Sequence, residues 1–439
     1  MNSRSLSIVY FLIGLGTATK VHLIGFIGIS QIVLFAITPF LFMKSYSEMR
    51  RDGFMTFVNL SILCFIGCII SSVYNQTQIS LALRGLALVY TRIVSVVVFY
   101  YLMKRDLAGL KWFFVGLAIS QVVTIWGFRE GNEAFAQMKV GEAFLQNREL
   151  FFMQHFGGLF TIPMYAFYLQ TPVLISLGLC CLPGIRTFLV SSTGRGSVLL
   201  LAMTIGMTLF AGRSVRRMQK VKRYFILLMS SVLLGGLAFA SLYKYLGQAG
   251  MLNEEAQVKY ERQMRNANAG IIGKIMAGRA EFFIALFAIA DSPIFGFGPW
   301  PEDKNDYTMQ FLAKYGAWED VQKWAELEHY RASLGLPRNI PLHSEICSSW
   351  VYNSILGLPV YLYLLWLILR VVRHHLSAVP QWYGYYAMYI PGVLWGIFFS
   401  PPGSSIDPFV AMLLFSVAIG RGKIKLPKKM YIEVMRHAK

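Results

Sequence analysis

PLHSEICSSWVYNSILGLPVYLYLLWLILRVVRHH, residues 341–375, leaves a polar segment, runs apolar over 346–369 and ends in Arg370 and Arg373. A run of that length suits a helix crossing a hydrocarbon layer, which takes about 20 residues. Basic residues at its far end mark the cytoplasmic side. Ahead of it, residues 244–345 are the one stretch long and polar enough to build something outside a bilayer. They carry 11 Lys/Arg against 13 Asp/Glu, so the basic excess of the chain lies elsewhere.

Working outward, the alternation of apolar run and basic block recurs. The 439 residues are 56% hydrophobic and 14% charged, with a mean hydropathy of +0.51. A soluble domain carries about a quarter charged residues, which excludes that class. The net charge is +19, but it is gathered in short blocks: Lys44/Arg50/Arg51, Lys104/Arg105/Lys111, Arg213/Arg216/Arg217/Lys220/Lys222/Arg223, Arg370/Arg373 and the tail from Arg421. Blocks between apolar runs are a topology signal, so the partner they imply is the lipid bilayer and not nucleic acid. The ten-residue alternation of an outer-membrane barrel is absent.

With the basic blocks inside, spans fall at 5–19, 23–43, 54–74, 79–103, 112–128, 151–169, 173–190, 197–212, 224–243, 346–369, 382–400 and 406–420. The fold expected is all-α: a polytopic transmembrane helical bundle of about 12 spans with one large, mostly helical periplasmic loop. Residues 1–243 hold helices one to nine, 244–345 the loop, 346–420 helices ten to twelve, and 421–439 a basic cytoplasmic tail. The first run resembles a signal peptide but is read as a retained helix. Cys64, Cys68, Cys180, Cys181 and Cys347 are apolar filler, with no metal-ligand spacing among them.

Within the loop, 253–268 reads as a polar helix and 279–290 as an apolar helix too short to cross, stopped by Asp291-Ser292-Pro293. Phe311, Tyr315, Trp318, Val321, Trp324 and Leu327 recur at helical spacing as an amphipathic helix. Gly296 and Gly298 predict a tight bend that turns the chain back toward the bilayer.

Arginine inside a membrane costs about 2.5–3.5 kcal/mol on insertion scales, so each one needs a reason. Arg92 falls near the middle of the fourth span, Arg84 about two turns nearer the outer face, and Arg186 near the outer end of the seventh. With almost no acids in the spans, an anionic ligand or a water-filled cavity is expected around Arg84 and Arg92. Arg195, in the polar notch 191–197, offers a planar fork between two glycines for phosphate oxygens. Arg279 opens the short apolar helix. His343 precedes a span, where a neutral imidazole can take a proton from a hydroxyl.

Three segments in this order, STGRGSVLLLA (192–202), GRAEFFIALFAIADSPIFGFG (278–298) and LHSEICSSWVYNSILGLPVYLYLL (342–365), resemble the O-antigen ligase and O-antigen polymerase superfamily. Phe282-Phe283 stands where that family often has Trp, and Ser354 where ligases often have the first Gly of a pair. The resemblance implies transfer of a glycan from undecaprenyl diphosphate to an acceptor glycan or glycolipid at the periplasmic face of the inner membrane. It implies no metal and no cofactor, inversion at the anomeric carbon, and a possible chain-length regulator as partner. Arg195 and Arg279, with Arg84 and Arg92, would bind the diphosphate, and His343 would be the base, with Glu281 and Glu345 its rivals. The departure at Ser354 favours polymerase over ligase. A flippase for lipid-linked oligosaccharide is the alternative.

The topology makes a direct prediction. Single cysteines at Asn266, Ala317 and Gly335 should react with an impermeant thiol reagent in intact cells. Cysteines at Ser214 and Lys428 should react only after permeabilisation. Silence at Asn266 or Ala317 in intact cells would overturn the assignment.

Overall fold

The structure is a computed structural model that describes residues 3–18, 20–22, 26–127, 245–251, 257, 260, 280–315, 339–375, 378, 379, 382–399 and 406–425. Among these the helices, numbered in order, are α1 (Ser3–Ala18), α2 (Ile29–Asp52), α3 (Met55–Tyr74), α4 (Ile79–Arg105), α5 (Leu110–Gly127), α6 (Ala280–Asp291), α7 (Tyr307–Tyr315), α8 (Glu345–Asn353), α9 (Leu358–Arg370), α10 (Tyr383–Phe399) and α11 (Phe409–Gly420). A 3-10 turn (Ile355–Gly357) precedes α9, and a π turn (Val371–His375) follows it. Four segments are long and apolar enough to cross a membrane: Ile29–Asp52, Met55–Tyr74, Ile79–Arg105 and Ile355–His375. The sixth to ninth expected spans lie outside the described residues.

Two elements differ from the sequence reading. A short antiparallel hairpin, β1 (Lys20–His22) and β2 (Phe26–Gly28), replaces the start of the second span. Gly25 and Gly28 are poor helix formers, and Val21, Phe26 and Ile27 favour strand. Helix α2 therefore starts at Ile29, and it runs on to Asp52 so that Arg50 and Arg51 occupy its last turn. The span expected over 346–369 is also broken. Ser354 adopts φ 61°, ψ −175°, a conformation open almost only to glycine, and divides α8 from the turn leading into α9.

Helix α4 is the axis of the bundle. Val89, Val94, Val96, Val97, Val98, Phe99 and Tyr100 are all buried, and β-branched side chains at successive positions are tolerated because neighbours pack all round the helix. Helices α1 and α5 lie backbone to backbone. A Cβ on Gly14 would strike the Phe113 carbonyl oxygen, and one on Gly116 the Phe11 carbonyl oxygen. Small residues at such crossings let helices gain close van der Waals contact. At the basic end of the bundle, buried Asp52 accepts from Lys104 Nζ at 2.6 Å and from the Tyr100 hydroxyl at 2.8 Å, tying α2 to α4.

Ser354 keeps its strained backbone because Oγ accepts from Leu356 N at 3.3 Å and packs against Gly67 of α3. The strain costs about 1–3 kcal/mol. Ser354→Gly should therefore melt above Ser354→Ala, which retains the strain and loses the hydroxyl. A higher melting temperature for the alanine variant in detergent would contradict this.

Candidate functional site

Two of the three singled-out segments meet. Helix α6 stops at Asp291, because Pro293 cannot continue it, and the chain turns through Gly296 and Gly298. Both glycines have positive φ, 67° and 79°, and both are pressed against neighbours. A Cβ on Gly296 would strike the Val351 carbonyl oxygen, and one on Gly298 the Thr77 hydroxyl. This turn is stitched to the end of α8: Phe297 N donates to Val351 O at 2.8 Å, Ile355 N to Ile294 O at 3.0 Å, and Trp350 Nε1 to Pro293 O at 2.6 Å. On the other side Gly298 N donates to Ser71 Oγ at 2.8 Å and Asn75 Nδ2 to Gly296 O at 3.2 Å, fixing the turn to the end of α3. Pro299 fills the space left by Gly85 on α4.

A separate apolar cluster holds α6, α7 and α8 together: Ile284, Ala285, Ala288 and Ile289 pack with Tyr307, Phe311, Leu342, Cys347 and Val351. Asp303 braces this unit by accepting from Tyr307 N at 2.8 Å and Thr308 N at 3.2 Å, an acidic cap on the start of α7. Burial, reinforced by neighbouring Asp291, raises the Tyr307 phenol so that it stays neutral.

The start of α8 reaches into the bundle. Ser344 caps it, accepting from Cys347 N at 3.4 Å, and donates to Ile397 O of α10 at 3.0 Å. Glu345 Oε2 accepts from the Tyr361 hydroxyl at 3.2 Å, and that hydroxyl accepts in turn from Arg92 Nη2. The Arg92 guanidinium also lies 4.8 Å from the Tyr361 ring centroid. Arg92 is 13 residues into α4, about 20 Å along its axis, so Glu345 lies far from the N-terminal end of that helix. The other oxygen, Oε1, faces α10, where a Cβ on Gly396 would stand 3.4 Å away. Beside this chain, Cys64 Sγ lies 3.7 Å from Ser349 Oγ, which donates to Gly357 O at 3.0 Å and accepts from Asn353 Nδ2 at 3.1 Å. Arg92 Nη1 and Asn353 Oδ1 are sealed from solvent with no hydrogen-bond partner among the described residues.

The acid that answers Arg92 is not one of the few within the expected spans. The carboxylate comes from the loop residue Glu345, two positions beyond His343, and Tyr361 bridges the two charges. Arg84 is exposed, and its guanidinium lies 4.4 Å from the centroid of Trp300, whose ring packs on Tyr352 at 5.3 Å. It is thus held by an aromatic face, apart from Arg92. His343 is exposed and leads directly into buried Ser344. Glu281 sits in the first turn of α6. Arg186, Arg195 and Arg279 lie outside the described residues. No three metal-ligating side chains converge among the described residues.

Asp407 is a group the sequence reading missed. It accepts from the Tyr389 hydroxyl, its amide donates to Ser95 Oγ at 3.3 Å, and Oδ1 accepts from Phe409 N at 2.6 Å to cap α11. A lone acid beside an apolar run was the available signal. The chain matches no family model, no curated protein and no solved structure.

The Arg92–Tyr361–Glu345 chain predicts strong energetic coupling. In a double-mutant cycle of Arg92→Met and Glu345→Gln, each single change should destabilise the protein, and the pair should cost less than their sum by about 0.5–3 kcal/mol. Simple additivity in detergent unfolding would show that the two charges do not interact.

Proposed function

We propose that the chain is a membrane glycosyltransferase that moves a glycan from undecaprenyl diphosphate onto an acceptor sugar, as polymerase rather than ligase. The reading includes twelve crossings of the inner membrane and a reaction centre facing the periplasm. The observation that carries it is the interlock of the segment 278–298 with 342–365. Helices α6 and α8 lead into one shared set of hydrogen bonds and pack in one apolar cluster. Arg279 immediately precedes the start of α6, and His343 stands just ahead of the start of α8.

The chemistry needs a set of this kind. The acceptor hydroxyl attacks the anomeric carbon as its bond to the diphosphate breaks, and the configuration inverts. The leaving diphosphate is already a weak base, so it calls for positive charge and not for an acid. Arg195 and Arg279 supply planar donors for it. His343 takes the hydroxyl proton; its exposure leaves the imidazole open to an acceptor. Arg92 serves in this reading to hold the start of α8, and Arg84 lines the approach beside Trp300.

A second reading, a flippase for the same lipid-linked glycan, draws on the helix break at Ser354 and on charge deep in the bundle. Product formation separates the two. Purified protein in liposomes with lipid-linked oligosaccharide should lengthen or transfer the glycan in the presence of chelator. Movement of unaltered donor across the bilayer would favour the flippase, and loss of transfer on chelation would overturn the metal-independent mechanism.

His343→Gln should lower transfer by about 10²–10⁴-fold at unchanged donor binding. Full activity would shift the base to Glu345 or Glu281. Arg195→Ala and Arg279→Ala should weaken donor use, and lysine should restore only part of it because the planar fork is lost. Wild-type transfer by both alanine variants would remove the diphosphate clamp.

A further inference from the structure

A second feature, independent of the glycan chemistry, lies at the opposite end of α9. Tyr363, Trp366 and Arg370 are spaced three and four residues apart, so they rise along one face of the helix. The Tyr363 and Trp366 rings stack at 5.3 Å with 28° between their planes. The Arg370 guanidinium continues the ladder, 4.8 Å from the Trp366 ring centroid. Trp366 is 45% exposed, and on either side of it Leu362 and Leu369 are 51% and 62% exposed, an apolar face that suits acyl chains. Arg370 therefore does not extend freely into water. It lies back on the indole, and its Nε is sealed from solvent with no hydrogen-bond partner among the described residues.

The charge around it is one-sided. The π turn Val371–His375 carries Arg373 and His374 outward, both exposed, and packs His375 on Gly420 at the end of α11. Arg421 follows Gly420, on which His375 packs, and so lies at the same joined end as Arg370. Lys423 follows, its Nζ donating to the Arg51 carbonyl oxygen at 3.0 Å. Asp52, the buried acid at this end, is already taken up by Lys104 and Tyr100. No carboxylate pairs with Arg370, Arg373 or Arg421 among the described residues. A basic block that served topology alone would need neither the aromatic ladder nor the half-sealed guanidinium.

We propose that the joined ends of α9 and α11 bind the phosphate of an anionic phospholipid headgroup. Arg370 and Arg421 face the phosphate oxygens, Trp366 and Tyr363 lie at the boundary between headgroup and acyl chain, and Leu362 and Leu369 meet the chains. Arginine's planar fork matches two phosphate oxygens, and basic pockets between membrane helices are recurrent lipid sites.

The test uses the delipidated full-length protein in a neutral detergent, followed by thermal unfolding. Phosphatidylglycerol, phosphatidylcholine and inorganic phosphate are titrated separately. Phosphatidylglycerol should raise the melting temperature saturably, and the other two should not at matched concentration. Arg370→Gln combined with Arg421→Gln should weaken the apparent phosphatidylglycerol affinity about 30-fold, since each cation near a lipid surface contributes roughly fivefold. Arg105→Gln, a basic change at the end of α4, should leave it unchanged. Should the double variant fold poorly, Trp366→Leu alone should still weaken phosphatidylglycerol binding by breaking the ladder. An equal shift from phosphatidylcholine, or from inorganic phosphate, would overturn the lipid-headgroup site. So would undiminished phosphatidylglycerol affinity in the double variant, or in Trp366→Leu where that variant stands in for it.

Discussion

A guanidinium set about 20 Å into a membrane helix has to be answered by something. Here the answer is drawn from three separate parts of the chain. Tyr361 comes from α9, Glu345 from the start of α8, and Cys64 and Ser349 stand alongside. The half-buried charge on α4 is therefore met by the segment that follows the polar loop. Both side chains are half-buried, and removing either would leave the other without its charged partner. Helix α8 is drawn inward at its first residue, and its last residues are left to meet the turn that follows α6.

That turn shows how a backbone conformation can be imposed by crowding. Gly296 and Gly298 are not simply points of flexibility. Each has a positive φ, and each faces an atom that a side chain would hit. Gly67 and Gly85 on the neighbouring helices make room for Asn353 and Pro299. Gly296 thus lets the loop sit on the backbone of α8, Gly67 lets the end of α8 sit on α3, and Gly85 takes in Pro299. Ser354 is the exception within this design, a residue with a Cβ in a conformation suited to glycine.

Much of this was legible in the amino-acid sequence, and the failures have physical causes. Helices α3 and α4 occupy the apolar runs read at 54–74 and 79–103, and α6 ends at the Asp-Ser-Pro stop. Hydropathy reads such elements well because length and flanking charge are local properties. It could not read the break at Ser354, where α8 is held by partners far away in sequence. It also could not pair Arg92 with Glu345, because a carboxylate counted as part of the loop enters the bundle only through tertiary contacts. The grouping of 278–298 with 342–365 was suggested by their resemblance to one superfamily. The two segments share hydrogen bonds, and Arg195 and Arg279 lie outside the described residues.

The crossing of α1 and α5 bears on how the protein is made. Gly14 and Gly116 press each helix onto the other's carbonyl oxygens, a fit that neither helix can find alone. Their sequence separation is about a hundred residues, which at 5–20 residues per second is roughly 5–20 s of synthesis. For that interval the face of α1 around Gly14 stands without the backbone it packs against. Helix α1 therefore gains this packing partner only when α5 arrives, and a pause in translation before Gly116 would prolong its exposure.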